Sequence, residues 1–365
     1  MNQNHLIAYF ISPHGFGHAA RAAAVMAAIH RLSPAVRFEI FTQVPEWFFA
    51  DSLAAPFGYH ALLTDIGLAQ QNSLIEDLPE TVRRLDDFLP FQRAQIEPLA
   101  RQLKALNCTM VICDIAPLGI AVARAAQIPS VLIENFTWDW IYQAYLPAEP
   151  RLHRHMAYLQ TIFQMADYHI QTEPICQPSP AVALTTAPIS RQIRTPADEL
   201  RAKLGLSSQA RVILLTMGGV GWDYTFLEQL ESQPGVHFVI PGGSQQVEQR
   251  RNLVLLPNHT SFFHPDLINA ADVVIGKVGY STLAEVYQAG APYGYISRPR
   301  FRESALLARY IESHMNGLAI TGSEFADGSW LVRLPELLAL PRIERSPTGG
   351  AEQAARFILQ IGNYF

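Results

Sequence analysis

Twice in this chain a short apolar run breaks at glycines and turns directly into helix-forming sequence. That junction restricts the fold more than any other feature. The first is Leu6 to Ile11, followed by Ser12-Pro13-His14-Gly15-Phe16-Gly17-His18 and the alanine-rich stretch Ala19 to Leu32. The second is Ala271 to Ile275, followed by Gly276-Lys277-Val278-Gly279-Tyr280-Ser281-Thr282-Leu283-Ala284-Glu285, with a helical segment from Ser281 to Ala289. A continuous apolar run without alternation reads as a strand buried on both faces, as in a parallel sheet covered by helices. Further strand-like segments lie at Val36 to Phe41, Met110 to Cys113, Ser130 to Glu134, Val212 to Thr216, Val236 to Ile240, Leu253 to Leu256 and Pro292 to Ile296. Between them lie helical stretches such as Leu118 to Ala126, Leu152 to Gln164 and Glu303 to Ser313. Glu80 to Leu106 reads as one helix or two, broken by Pro90 and Pro98. Strand alternating with helix in both halves predicts an α/β chain with two doubly wound, largely parallel sheets.

A length of 365 residues exceeds what one core usually organises, so two domains are expected. Thr172 to Pro196 is rich in Pro, Ser and Thr and keeps no period, and it reads as the end of one domain and a linker. The expected division is a Rossmann-like domain over 1–185 with its linker to about 195, a second over 196–350, and a terminal helix in 351–365 packing back toward the first. The formal net charge of −5 argues against nucleic acid as the main partner. No apolar run approaches the ~20 residues that span a bilayer, which leaves peripheral contact as the only membrane role. Met1 to His5 lacks the basic region of a signal peptide, and Cys108, Cys113 and Cys176 form neither metal-ligand spacing nor a paired framework. The expectation is a cytoplasmic protein.

A strand that ends in glycines and runs into a helix leaves free backbone N–H groups at the positive end of the helix dipole, a place suited to phosphate or diphosphate. Lys277 adds a mobile charge there, and Ser281 and Thr282 add hydroxyls. A second reading needs no ligand: Thr282 followed by Glu285 has the spacing of a capping box. In the first half, His14, His18, Asp114 and Asn135 all follow or end strand-like runs, where the ligand crevice of a parallel sheet lies. His18 at a helix start is held as a neutral ring and potential base by the dipole, though it also suits a cap. Asp114 equally suits the N-cap of the helix that Pro117 introduces. Trp47-Phe48-Phe49 reads as core, and His153 and His155, two apart on a helix, point too far apart to share a metal. No acidic metal-binding pair follows a strand, so no metal is expected.

These residues resemble the GT-B glycosyltransferase superfamily. The resemblance is carried by His14-Gly15-Phe16-Gly17-His18-Ala19-Ala20-Arg21, by Asp114 with the helix after it, and by Asn135-Phe136-Thr137-Trp138-Asp139-Trp140-Ile141-Tyr142. Ala270-Ala271-Asp272 and Gly276 to Thr282 carry it in the second half. The chain looks closest to the glycosyltransferase-like module at the N-terminus of plant L-arabinokinases and its stand-alone bacterial relatives. The sugar kinase of those proteins has no counterpart in this sequence, so kinase activity is not expected. More distantly, the chain is similar to the N-acetylglucosaminyltransferase of peptidoglycan synthesis and to plant natural-product glucosyltransferases.

The resemblance implies two Rossmann-like domains facing across a cleft, with the acceptor on the first and a nucleotide-sugar donor on the second. Carried over by motif, His18 is the base and Asp114 the group that orients it. His14, Gly15, Phe16, Gly17, Asn135 and Trp138 then lie on the acceptor side. On the donor side, Gly218 and Gly219 keep a turn open, Phe263 flanks the base, and Lys277, Gly279, Tyr280, Ser281 and Thr282 surround the diphosphate. Glu285 would hold the ribose. Arg302-Glu303 stand where a polar pair contacts the donor sugar, and they depart from the acidic-amide pair common there. The implied activity is an inverting, metal-independent transfer from a nucleotide-diphosphate sugar, a UDP-sugar by preference, to an acceptor hydroxyl, of hexosyl or N-acetylhexosaminyl type. Two alternatives stand beside it: a GT-B-shaped isomerase like the UDP-N-acetylglucosamine 2-epimerases, and a module that binds a nucleotide sugar without turning it over.

Overall fold

The computed structural model describes residues 5–72, 75–218, 222–346 and 348–363. The chain divides into two compact units, Met1–Ser190 with Thr348–Phe365, and Arg191–Pro347.

The first unit is built on strands β1 (Leu6–Ile11), β2 (Arg37–Thr42), β3 (Phe57–Ala61), β4 (Gln70–Asn72), β5 (Ile75–Glu76), β6 (Cys108–Asp114), β7 (Ser130–Glu134), β8 (Tyr168–Thr172) and β9 (Leu184–Thr186). Seven of them form one parallel sheet in the order β3-β2-β1-β6-β7-β8-β9, while β4 and β5 pair separately as an antiparallel hairpin. Helix α1 (Phe16–Leu32) follows β1 and buries a run of alanines, whose small side chains let it approach the sheet closely. Next along the chain come α2 (Glu46–Ser52), α3 (Leu78–Phe88), α4 (Arg93–Ala105), α5 (Pro117–Ala126), α6 (Trp138–Gln143) and α7 (Leu152–Phe163). The helix Gly350–Ile361 places Ala351, Ala354, Ala355, Ile358 and Leu359 in the same core as α1. Those positions share one helical face. Its first residue must be glycine, because a Cβ there would meet the Ala187 carbonyl oxygen at 1.9 Å.

The second unit has strands β10 (Arg211–Thr216), β11 (Val236–Pro241), β12 (Glu248–Arg250), β13 (Leu253–Leu256), β14 (Val273–Lys277), β15 (Tyr293–Ile296) and β16 (Gly317–Ile320). Their order is β12-β13-β11-β10-β14-β15-β16, parallel except for β12 on the edge. Its helices include α8 (Ala197–Lys203), α9 (Leu227–Glu231), α10 (His264–Ala270), α11 (Tyr280–Ala289) and α12 (Arg302–His314).

Among the parallel strands of each sheet the order reverses at one place, between β1 and β6 and between β10 and β14. A doubly wound sheet opens its ligand crevice there, outside the carboxyl ends of the two strands. The residues at those ends are Ile11 and Asp114, paired in register, and Thr216 and Gly276, likewise paired. The two glycine junctions read from the sequence therefore sit at the two switch points.

Several local expectations need correction. Helix α1 begins at Phe16, so His18 lies inside its first turn. Gly276 and Lys277 belong to β14, and α11 begins at Tyr280 with Gly279 as N-cap and no side-chain cap. Thr282 is thus the third helical residue, and the capping box with Glu285 does not form. Asp114 ends β6, and Ala116 is the N-cap of α5, so the capping reading of Asp114 also fails. Pro90 separates α3 from α4, but Pro98 sits within α4 without ending it. Strand β9 lies inside the stretch that reads as a linker, being three residues long and on the sheet edge. Among the described residues, no helix is long and apolar enough to cross a membrane.

Candidate functional site

At the first switch point four side chains lock together. Asp114 is fully buried at the end of β6 and accepts from Arg21 twice, Nε to Oδ2 at 2.8 Å and a terminal nitrogen to Oδ1 at 2.7 Å. The third Arg21 nitrogen donates to Asn135 Oδ1 at 2.8 Å. His18 Nδ1 lies 2.9 Å from Asp114 Oδ1. Burial opposes ionisation of Asp114, but the Arg21 guanidinium outweighs it and holds the carboxyl below its ordinary range. An ionised carboxylate only accepts, so Nδ1 of His18 must carry the hydrogen. In the neutral ring the lone pair is then on Nε2, the arrangement of a base. Immediately after Asp114, Ile115 has φ +42°, a strained conformation for a β-branched residue. It is held by its N–H to Ile133 O at 3.3 Å and a bridge to Ile11.

A second carboxyl stands beside this cluster. Thr64 Oγ1 donates to the Ile11 carbonyl at 2.7 Å, which ties the segment after β3 to the end of β1. Asp65 next to it accepts from Ser12 Oγ at 2.9 Å and from Trp138 Nε1 at 3.0 Å. Burial raises its carboxyl to about 7, against the lowering effect of those two donors and with a further raising effect from Asp114.

The remaining first-unit residues fall into two sets. His14 packs edge-on against Trp138, ring centres 5.0 Å apart, and presses on Gly67, where a Cβ would meet the imidazole at 2.7 Å. Gly15 has φ +76° and open space around its Cα, forming the turn before α1. Phe16 stacks on Phe48 at 5.1 Å, and Gly17 is the second residue of α1. Asn135 and Trp138 are buried, and their side chains are hydrogen-bonded to Arg21 and Asp65 respectively.

At the second switch point the anchor is Glu285 on α11, which is 4% exposed. Arg191 Nε and a terminal nitrogen reach its Oε1 at 3.0 and 2.9 Å, and His264 Nδ1 lies 2.7 Å from Oε2. Burial opposes ionisation here as well, and Arg191 with His264 outweighs it, so the carboxyl is held below its ordinary range. By the argument used for His18, the hydrogen is on Nδ1. Nε2 then accepts from Thr216 Oγ1 at 3.2 Å, linking the end of β10 to α11. Lys277 ends β14, and burial together with the neighbouring Arg298 brings its ammonium down to about 8, against an opposing effect of Glu303. Glu303 is buried on α12 and Arg302 is the first residue of that helix. Phe263 lies under two guanidinium groups, those of Arg194 at 4.0 Å and Arg191 at 4.8 Å from its ring centre. Gly218 has φ +77° and lies exposed after β10, Tyr280 and Thr282 are buried, and Ser281 is partly exposed. Gly219 lies outside the described residues.

Sequence reasoning passed over Arg21, Asp65, Arg191, His264 and Arg298 as site residues. Arg21 had a signal, since it stands three residues after His18 and shares its helical face. The others are brought in from distant segments, and no local spacing marks them. Among the described residues, no group of three or more His, Cys, Asp or Glu is placed to hold a metal ion.

No family model matches the chain. It is 26% identical over 365 residues to L-arabinokinase of Arabidopsis thaliana, covering 98% of this chain and 34% of that protein, so it spans about a third of that relative's length. Among solved structures, Arabidopsis thaliana UGT89C1 complexed with UDP superposes with a TM-score of 0.66 at 14% identity, covering 98% of this chain and 99% of that one. A UDP-glucosyltransferase from Polygonum tinctorium capable of glucosylating indoxyl gives 0.61 at 14% identity, covering 99% of both chains. The spinosyn forosaminyltransferase SpnP gives 0.61 at 14%, covering 99% of this chain and 95% of that one. With two sheets of this order and such matches along its whole length, the chain has the GT-B glycosyltransferase fold.

Proposed function

We propose that this protein transfers a glycosyl group from a nucleotide-diphosphate sugar, a UDP-sugar by preference, to an acceptor hydroxyl, with inversion and without a metal. The observation that carries this reading is the His18–Asp114 pair at 2.9 Å with Arg21 clamping the carboxylate. Nε2 of His18 would take the proton of the attacking hydroxyl. The oxygen displaces the nucleoside diphosphate from the anomeric carbon, and Asp114 stabilises the imidazolium that results. The leaving diphosphate needs positive charge, and the uncapped N-terminus of α11 with Lys277 at the end of β14 is suited to supply it. Glu285 is assigned to the ribose hydroxyls, its carboxylate set by Arg191 and His264. The UDP in UGT89C1, a structure of similar fold, supports uridine as the base.

Incubation with a panel of UDP-sugars and candidate acceptors tests the assignment. UDP release dependent on acceptor supports transfer, whereas formation of an epimer, or binding without turnover, would replace it with the isomerase or the binding-module reading. His18→Ala should lower turnover roughly 10²–10⁴-fold, the usual contribution of a positioned base. UDP affinity should not change, and the fold should persist because Arg21 still neutralises Asp114. Full turnover in a folded His18→Ala protein would remove His18 from the mechanism.

A further inference from the structure

The loop that leads into His18 also bounds a cavity of about 490 Å³ within the first unit, a size typical of small-molecule sites, which run from about 300 to 1,000 Å³. Its polar lining comes from His14, Gln43, Asp65, Arg84 and Asp87, and its apolar lining includes Phe88 and aliphatic side chains of the segment 63–68. Three classes of occupant can be weighed against that lining.

An anionic occupant meets two carboxyl groups, Asp65 and Asp87. The guanidinium in the lining, Arg84, already donates through Nε to Glu80 at 2.8 Å. A flat apolar occupant would cover Gln43 and the remaining acceptor sites of Asp65 without offering them a hydrogen bond. Each such unmet group costs about 1–3 kcal/mol. A neutral molecule with several hydroxyls and a C–H face meets both parts of the lining. Asp65, 2% exposed where it meets the cavity, still has acceptor sites: Ser12 and Trp138 each use one on its two oxygens, and the ionised carboxylate, which prevails above about pH 7, has about four. Asp87 is already paired with Arg83 at 3.0 Å, so the α3 side presents largely compensated charge.

We propose that this cavity takes a neutral polyhydroxylated molecule, a free monosaccharide or cyclitol, with Asp65 accepting one of its hydroxyl groups. The cavity thereby selects a sugar-like acceptor over an aromatic aglycone or a sugar phosphate. Its assignment as the acceptor site rests on the glycosyl-transfer reading; the ligand class rests on the lining alone.

Saturation-transfer NMR on the full chain, with D-glucose, D-xylose and myo-inositol as probes and 2-naphthol and glucose 6-phosphate as comparisons, tests the class. At least one neutral polyol should bind, and more tightly than either comparison compound. Asp65→Asn, and Gln43→Ala at an exposed position, should each weaken that binding by up to about tenfold, the equivalent of one lost hydrogen bond of ~1.4 kcal/mol. Tighter binding of 2-naphthol or of glucose 6-phosphate overturns the proposal, as does silence from all three polyols. So does polyol binding that neither substitution weakens. UDP added to the same samples keeps the two readings apart. A chain that binds UDP but no polyol fails only this inference, and one that binds polyol but no nucleotide fails only the transfer reading.

Discussion

Single residues set the charge states on which the proposed chemistry depends. Two carboxylates of this chain, Asp114 and Glu285, are buried and ionised because each has a guanidinium against it, and each in turn fixes the tautomer of a histidine. Lys277 is the opposite case. Its ammonium is partly desolvated beside Arg298, so it titrates at about 8 instead of near 10.5. A diphosphate binds the charged form. Below pH 8 the charge is already present; above it, binding must also take up a proton. UDP affinity should therefore fall by up to tenfold per unit above about pH 8.5, as one proton per binding event requires, while any change below about pH 7 belongs to the terminal phosphate of UDP itself. Lys277→Arg, which stays charged throughout, should abolish the fall. Calorimetric titration of UDP from pH 6.5 to 9.5 checks both, and a profile shared by parent and variant would show that Lys277 does not touch the diphosphate.

At the level of elements, the two switch points use glycine for different reasons. Gly15 has open space, but its φ of +76° with ψ of 177° is a combination open essentially to glycine alone, so Gly15→Ala should cost about 1–3 kcal/mol of backbone strain. Gly276 has no such φ, but a Cβ there would lie 1.8 Å from the Thr216 carbonyl oxygen on the paired strand. The neighbour is backbone, so β10 and β14 would have to part at the carboxyl ends that form the crevice. Gly276→Ala should lower the melting temperature far more than Gly15→Ala and abolish UDP binding. Equal shifts in thermal unfolding would contradict this account.

Unbroken apolar runs such as Leu6 to Ile11 mark central strands, because both faces are covered by helices and the side chains on either face are buried. Strand β9, Leu-Thr-Thr on the edge, carries no such mark, and neither does β3, whose residues are all at least partly exposed. At the site, His18 and Asp114 were legible as residues that end strands or start helices. Asp65 and His264 were not, because their partners Trp138 and Glu285 are 73 and 21 residues away and only the folded chain brings them together.

For the whole molecule, the chain leaves the first unit at Ser190 and returns to it at Thr348, so the last residues complete a core begun by the first. Besides the hydrogen bond from the Ala187 N–H to Gln353 Oε1 at 2.9 Å, two contacts of the returning helix Gly350–Ile361 differ in weight. One is the ion pair of Arg31 with Glu352 at 3.0 Å, between side chains that are 40% and 20% exposed. Pairs of this kind contribute about 0–1 kcal/mol. The other is the burial of Ile358 and Leu359 with Ala351, Ala354 and Ala355. At roughly 1.5–3 kcal/mol for each large aliphatic side chain, with the alanines added, it rivals the 5–15 kcal/mol net stability of a typical domain. Apolar burial therefore decides. Glu352→Ala should leave stability almost unchanged, whereas a chain truncated after Pro347 should lose the first unit. Hydrogen exchange separates the cases: in the truncated chain the amides of β1, β6 and β7 should lose protection while those of β10, β11 and β14 keep it. If β1 stays protected without the terminal helix, that helix is an accessory to the core and not part of it.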